Sequence, residues 1–343
     1  MPKTQIVNRQ AKINKRGRAI RKVASETESS TCFVSRSAPF VAERIAKAYG
    51  SNFFSWKRVF SHITAGAIHA SANLFIVGLY CKGDFKAVFS QYKTLTSYFN
   101  KTIIVFAGTD LMQLKAFSSK ERRLLLRMLL KNKTAFFGVG KYAQEEAWEI
   151  LPELAALGAE VGVLYFPMQH TFPNKLPAMP RKFSIGCYMP PSAADFYGFD
   201  VIKPASILIP SVRFHLYSLQ GAGREQYKLP SGSYKNIICH SSKIESPDMA
   251  NFIKGTACGL RLTKHDGNPM SLAEYNSMGR WFIYNKKMPY CEFLKDRDPK
   301  KLVSLINELR TRQGLNTEGS SFYRERHDSG VFLDNIKTIY KGI

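Results

Sequence analysis

Acidic residues are the scarce class in this chain. Its 343 residues hold 26 Asp and Glu against 50 Lys and Arg, a formal net charge of +24. An excess that large points to a polyanionic partner: DNA, RNA, an anionic lipid surface or a nucleotide substrate. Cysteine is sparse as well. The six, at 32, 81, 187, 239, 258 and 291, form no CxxC pair, and no histidines stand at zinc-finger spacing, so a reducing compartment and no structural zinc are expected. The longest apolar runs, such as Ala72–Cys81, fall short of the roughly 20 residues a membrane-spanning helix needs. The N-terminus lacks an apolar core behind its charges, which leaves no signal-peptide pattern. The expectation is a soluble cytoplasmic protein, in the host cytoplasm if the chain is viral. Peripheral contact with an anionic membrane stays open, because a basic surface binds such lipid without a spanning segment. Also missing are a DxD pair at a strand end, a Walker lysine pattern and any RNA-recognition or helix-turn-helix signature.

What is present is a core-forming composition, 45% hydrophobic and 13% aromatic, in a chain long enough for two domains. Residues 1–22 hold eight Lys or Arg and no acid; with the SETESS that follows they read as a flexible basic arm over 1–30. Ordered structure is predicted from a strand at Thr31–Val34 and a helix beginning near Pro39. Strands at Leu74–Leu79, Thr102–Ala107, Ala135–Val139 and Val161–Phe166 then alternate with helical patterns at Asp84–Tyr98, Lys120–Leu130 and Gln144–Leu157. Such alternation argues a parallel sheet covered by helices. The proline-rich stretch over 168–182 reads as a hinge. A second series follows, with strands predicted at Phe183–Cys187, Ser206–Ile209, Asn236–Cys239, Leu260–Thr263 and Trp281–Tyr284, then a helix capped by Asp298 with Pro299 in its first position.

Gly259 to Asn285 is the stretch with the most chemistry. A strand leads into a polar turn, a short helix and a second strand; Asn268 suits the N-cap, Pro269 the first helical position and Gly279 the residue just past the end. Asp266 stands at the mouth of that helix and Glu274 about one turn inside. Free backbone N–H groups and the positive helix end attract phosphate, while a carboxylate accepts hydrogen bonds from two adjacent hydroxyls of a sugar. The competing reading is that both acids only complement the helix dipole.

The chain resembles the GT-B glycosyltransferases, which use nucleotide sugars, and within them the family 4-like branch with two acids separated by seven residues. Here that motif is Asp266-x7-Glu274. Other landmarks come in the matching order: GTD at 108–110, YFPMQHTFP at 165–173, FSIG at 183–186 and the helix over 299–313. The resemblance implies an α/β chain with two Rossmann-like domains facing a central cleft: an acceptor domain over 31–167, a donor-binding domain over 183–315, and a segment over 316–343 that could pack back on the first. It further implies that Glu274 holds the nucleotide ribose, that Asp266 with the backbone of Gly267 and Asn268 meets the donor sugar or diphosphate, and that Asp110 sits near the reacting sugar. Three departures from the family pattern stand out. The first acid is Asp where many relatives have Glu, the usual Pro-Ser before the acid pair is Thr263-Lys264, and CYMPPSAADFYG after Gly186 lacks the cations that neutralise the diphosphate. Arg261, Lys264 or Arg213 are the candidate substitutes, and His265 is placed to contact phosphate.

The expected function is transfer of a sugar from a nucleotide-sugar donor to a hydroxyl, with the donor as the substrate and no tightly bound cofactor. That no DxD pair stands at a strand end makes metal-independent transfer the expectation, and the resemblance, through its acid spacing, implies retention of anomeric configuration. Among acceptors, a hydroxymethylated pyrimidine in DNA, as in a phage-type modifying enzyme, is favoured by the basic arm and basic first domain. A lipid-linked or cell-surface glycan at an anionic membrane is the alternative, and a non-catalytic nucleic-acid-binding protein on a GT-B-like fold is the rival from another class. Gly138 and Gly140 in FFGVGKY read as a strand-to-helix turn. The run KERRLLLRMLLKNK over 120–133 reads as a helix with its apolar side in the core and a basic face outward.

Overall fold

The structure, a computed structural model, describes residues 31–36, 39–66, 68, 72–79, 81–168, 173–218, 220–242, 244, 246–265, 269–312 and 314–343. The basic arm over 1–30 and Asp266, Gly267 and Asn268 lie outside the described residues. Two six-stranded sheets carry the fold. The first holds β1 (Thr31–Ser35), β2 (Phe53–Ser55), β3 (Asn73–Val77), β4 (Thr102–Phe106), β5 (Thr134–Gly138) and β6 (Val161–Val163), in the spatial order β2-β1-β3-β4-β5-β6. The second holds β7 (Ser184–Tyr188), β8 (Arg213–Tyr217), β9 (Ile237–Cys239), β10 (Cys258–Arg261), β11 (Trp281–Tyr284) and β12 (Glu292–Phe293), in the order β12-β11-β10-β7-β8-β9. Every pairing in both sheets is parallel.

Parallel strands need covering on both faces, and the sequence supplies this as unbroken apolar runs. In NLFIV and TIIVF every residue is buried. Alternate side chains go to opposite faces: Leu74, Ile76, Ile104 and Phe106 join one core, while Phe75, Val77, Ile103 and Val105 join the other. The helices Trp56–Thr64, Phe85–Tyr98 and Ser119–Lys131 cover the first face. The second face is covered by Pro39–Ala48 and by the last helix of the chain, Ser329–Gly342, whose Phe332, Ile336 and Tyr340 recur every four residues. Tyr340 Oη donates to the carbonyl of Leu74 at 2.9 Å, so the chain that left the first sheet at β6 returns to it at its end.

The edge strands β2 and β12 were not expected from sequence, and one expected strand is misplaced. Ser206–Ile209 is not a strand; its first three residues close a helix, Phe199–Leu208, where Ile207 and Leu208 are 62% and 52% exposed. The strand is Arg213–Tyr217, with Val212, Phe214 and Leu216 buried on alternate positions. A four-residue apolar run does not separate strand from helix end, whereas the period of two in VRFHLY does.

Two glycines set the second domain's geometry. Gly186 of β7 and Gly259 of β10 are paired in register. A Cβ on Gly186 would fall 1.8 Å from Tyr275 Oη, and one on Gly259 would fall 2.4 Å from Phe282 and 2.7 Å from the Tyr275 ring. The pair opens a slot for Tyr275, which lets its helix, Met270–Ser277, lie close on the sheet. The neighbouring side chain in that helix is Glu274.

Candidate active site

In an open doubly wound sheet, ligands bind outside the carboxyl ends of the strands where the order reverses. In the second sheet that point lies between β7 and β10, and in the first between β1 and β3. Tyr188 ends β7 and Arg261 ends β10. The Arg261 guanidinium lies over two rings, 5.3 Å from the centre of Tyr188 and 4.7 Å from that of Tyr197. Such stacking holds a cation at the strand edge. Lys264, exposed, follows three residues later, its amide donating to Phe196 O at 2.9 Å. Arg213 is a correction. It is the first residue of β8, paired with Ser184 at the amino edge of the sheet; five residues of strand put it about 13 Å from the carboxyl edge, too far to share a ligand phosphate with Arg261.

The Met270–Ser277 helix begins at this edge, after Pro269 in extended conformation, and Gly279 leaves it in the left-handed region with φ 68°. Pro269 is thus the residue before the helix rather than the first within it. Glu274 lies in its second turn, 7% exposed. Its charge reaches Tyr217 and Tyr275, both of whose hydroxyls are held protonated far above the ordinary tyrosine range, mainly by burial.

His265 faces a carboxylate where a phosphate contact was expected. Its Nδ1 is 3.3 Å from Glu146 Oε1, on the Lys141–Ile150 helix of the first domain. Burial raises the Glu146 pKa, while His265 and then Lys286 pull it back. Lys286, from the second domain, donates to Tyr142 Oη at 2.9 Å and lies 4.7 Å from the centre of that ring. The two domains therefore touch through His265–Glu146 and Lys286–Tyr142. None of Glu146, Tyr142, Lys286, Tyr188 or Tyr197 was singled out from sequence. Tyr188 ends β7 and Tyr197 lies in the turn-rich segment after it, a place at a strand's carboxyl end that could have marked them; the interdomain partners carry no local signal.

On the first domain's side, Ser35 Oγ donates to Val77 O at 2.6 Å and ties β1 to β3 at the switch point. Asp110 is fully buried rather than open to the cleft. Its carboxylate accepts from the amides of Leu79 at 2.8 Å and Ala107 at 3.0 Å, which clamps the loops leaving β3 and β4. Burial raises its pKa and those amides oppose the rise. The GxG at 138–140 is the strand-to-helix turn: a Cβ on Gly138 would meet Gln144 N at 2.3 Å. Next to Ser35, at the carboxyl ends of β1 and β2, lies a cavity of about 460 Å³ lined by Arg36, Trp56, Lys57, Phe60 and Gln91 among others. Among the described residues no group of three His, Cys, Asp or Glu is arranged to hold a metal ion, and no helix is long and apolar enough to cross a membrane.

The strap between the domains is tied down behind the cleft. His327, 2% exposed, donates from Nδ1 to Phe166 O at 2.6 Å, and its O accepts from Met168 N at 3.0 Å. Burial pushes this imidazole down to about 4. Because the unfolded chain titrates near 6.5, it takes up a proton below that pH while the folded state does not. Stability is therefore full above about 6.5 and falls as the pH drops toward 4, by roughly 3 kcal/mol from this group. Urea unfolding at pH 7.5 and 4.5 checks it: His327→Gln is expected to flatten the pH dependence, and an unchanged dependence would refute the assignment.

No protein-family model matches the sequence, and no curated protein matches it. Solved structures match in three dimensions. HepE of Anabaena, solved with UDP-glucose, aligns with a TM-score of 0.64 at 10% identity, over 91% of this chain and 100% of HepE. Sucrose-phosphate synthase of Thermosynechococcus elongatus gives 0.57 at 9% identity, over 91% and 98% of the two chains. The pneumococcal O-GlcNAc transferase GtfA, solved with UDP and GlcNAc, gives 0.55 at 13%, over 82% of this chain but only 59% of GtfA. These neighbours are GT-B glycosyltransferases. With its two parallel six-stranded sheets and their switch points, the chain has the GT-B fold, two Rossmann-like domains.

Proposed function

We propose that the protein transfers a sugar from a nucleotide-sugar donor to a hydroxyl of a polyanionic acceptor, and that the acceptor is a hydroxymethylated pyrimidine in DNA. The observation that carries the first part is that two elements border the switch point of the second sheet: β10, which ends in Arg261 held over Tyr197, and the Met270–Ser277 helix, which carries the buried Glu274. In this reading Glu274 accepts from the ribose hydroxyls. Arg261 and Lys264 face the diphosphate, assisted by amides at the start of the Met270–Ser277 helix. Asp266, Gly267 and Asn268 meet the donor sugar. Asp110 acts as a positioning residue, since it fixes the first-domain loops that face the donor. The bond from the anomeric carbon to the diphosphate oxygen breaks, the diphosphate leaves with the electron pair, and the acceptor oxygen bonds to the same carbon from the same face and passes its proton to the departing diphosphate oxygen. Cations and helix amides stabilise the leaving charge, and the transfer proceeds with retention and without a metal ion. The reading places the protein in the cytoplasm, with donor and DNA at hand.

The second part rests on charge, because +24 suits a phosphate backbone. The test incubates the protein with a panel of nucleotide sugars and DNA containing hydroxymethylated pyrimidines, then reads nucleoside diphosphate release and the mass of the digested nucleosides. A hexose or pentose increment on the pyrimidine is expected. No donor turnover across the panel would sink the enzymatic reading; turnover with label only on a lipid-linked or cell-surface glycan would sink the DNA acceptor.

A further inference from the structure

We infer that the three helices covering one face of the first sheet form the surface along which duplex DNA lies, leading its acceptor base toward the cleft; this rests on the DNA reading above. The helices Trp56–Thr64, Phe85–Tyr98 and Ser119–Lys131 share one core with that face. They also pack against one another. The Trp56 ring lies 5.1 Å from that of Tyr92, tilted at 57°, and its Nε1 donates to Gln91 at 3.1 Å, while Asn132 donates to Thr96 Oγ1 at 2.8 Å. Their outward positions are cationic: Lys57, Arg58, Lys86, Lys93, Lys120, Arg123, Arg127 and Lys131 are all exposed, and none pairs with a carboxylate among the described residues.

The acids of this region are spent elsewhere. Between 82 and 133 there are 11 Lys or Arg and 3 acids. Asp84 caps the second helix, Glu121 closes a capping box with Ser118, and Asp110 is buried. The first two helices contain no acid at all. A surface kept basic while its carboxylates serve the fold carries an unneutralised field that favours phosphate.

Two features decide for a duplex over a bilayer. The apolar sides of all three helices are already in the core, and Leu124, 50% exposed, is their one exposed large apolar side chain among the described residues. Insertion into lipid needs an apolar face to bury. The cations at 120, 123, 127 and 131 form one stripe about 16 Å long at 1.5 Å per residue, matching about five steps of a duplex. The first two helices follow β2 and β3 from the carboxyl edge of the sheet, and the third follows β4 after the short helix Thr109–Leu114, with Phe117 5.3 Å from Phe85 at the start of the second, so Lys57, Lys86 and Lys120 stand toward that edge and the stripe runs outward from it.

The test uses the full chain with K120Q/R123Q/R127Q/K131Q and a fluorescent duplex of about 30 base pairs, titrated between about 50 and 200 mM salt. The slope of log affinity against log salt is expected to become shallower by about 3 to 4, near 0.9 per lost phosphate contact. An unchanged slope overturns the proposal. So does an equal loss in the second-domain control K235Q/K254Q/K295Q/K300Q, which would mean that binding is diffuse. An independent variant on the neighbouring helix, K86Q/K93Q, is expected to shift the slope in the same direction, and serves should the first fail to fold. Loss of binding to phosphatidylserine vesicles with duplex binding intact also overturns it, in favour of a membrane. Donor turnover without acceptor is expected to be unchanged in every variant, which separates failure of this surface from failure of the glycosyl-transfer reading.

Discussion

Glu274→Gln is expected to raise the KM for the nucleotide sugar by about 10- to 100-fold and to weaken product inhibition by the nucleoside diphosphate by the same factor. A hydrogen bond to a charged group contributes about 1.5–3 kcal/mol, and tenfold in affinity corresponds to about 1.4 kcal/mol. The glutamine keeps the shape of a side chain that is 7% exposed, so packing beside Tyr275 is retained. It replaces one acceptor oxygen by a donor, and a ribose diol then meets an N–H where it needs a lone pair. Because the diol belongs to the nucleotide and not to the transferred sugar, donor and product lose affinity together while kcat falls less. That split identifies a ribose contact: a group acting on the reacting carbon would lower kcat and leave product binding intact. Steady-state kinetics with product inhibition, alongside a urea midpoint that stays near wild type, reads it. A KM and an inhibition constant both within twofold of wild type would remove Glu274 from the donor site.

The helix that carries Glu274 was legible because its boundaries are written locally. Pro269 fits only outside or at the start of a helix, and Gly279 fits a positive φ just past its end. The alternation of apolar runs with helical patterns likewise revealed two doubly wound halves, since each buried parallel strand reads as continuous hydrophobicity. The sequence was less informative where geometry is set across the chain. Gly186 and Gly259 lie far apart in sequence, yet together they make the slot for Tyr275. Nothing local marks Glu146 as the partner of His265 or Tyr142 as that of Lys286. Arg213 looked like a candidate because charge and position in the chain do not reveal at which end of a strand a residue stands. Asp110 was singled out because its type suits a reacting sugar; that it is buried and accepts from the amides of Leu79 and Ala107 depends on loops the sequence does not bring together.

Arg280 follows the same logic with a larger expected effect on stability. It is fully buried, immediately before β11, and its guanidinium donates to four carbonyls in two separate segments. Pro177 O at 3.0 Å and Ala178 O at 2.9 Å belong to the strap between the domains, while Ile253 O at 3.4 Å and Lys254 O at 3.1 Å end the Ser246–Lys254 helix. Helix-end carbonyls have no intrahelical partner, and a strap without secondary structure has none of its own, so one planar cation satisfies both. Arg280→Met fills similar volume but takes the guanidinium donors away from Pro177 O, Ala178 O and Lys254 O, while Ile253 O keeps Thr256 N and Oγ1, each at 3.1 Å. A loss of about 3–5 kcal/mol is expected, a large share of the roughly 5–15 kcal/mol of a typical domain. For a domain of about 150 residues this lowers the Tm by roughly 10 °C. Arg280→Lys retains the charge but not the fork, and three donors on one nitrogen do not span both segments, so it recovers less than half of the loss. Trp281, adjacent in sequence and 5.2 Å from the Arg312 guanidinium, offers a fluorescence signal for the unfolding of the second domain. If Arg280→Met unfolded within 1 kcal/mol of wild type, or if lysine restored full stability, the clamp would not be what holds the strap against the second domain.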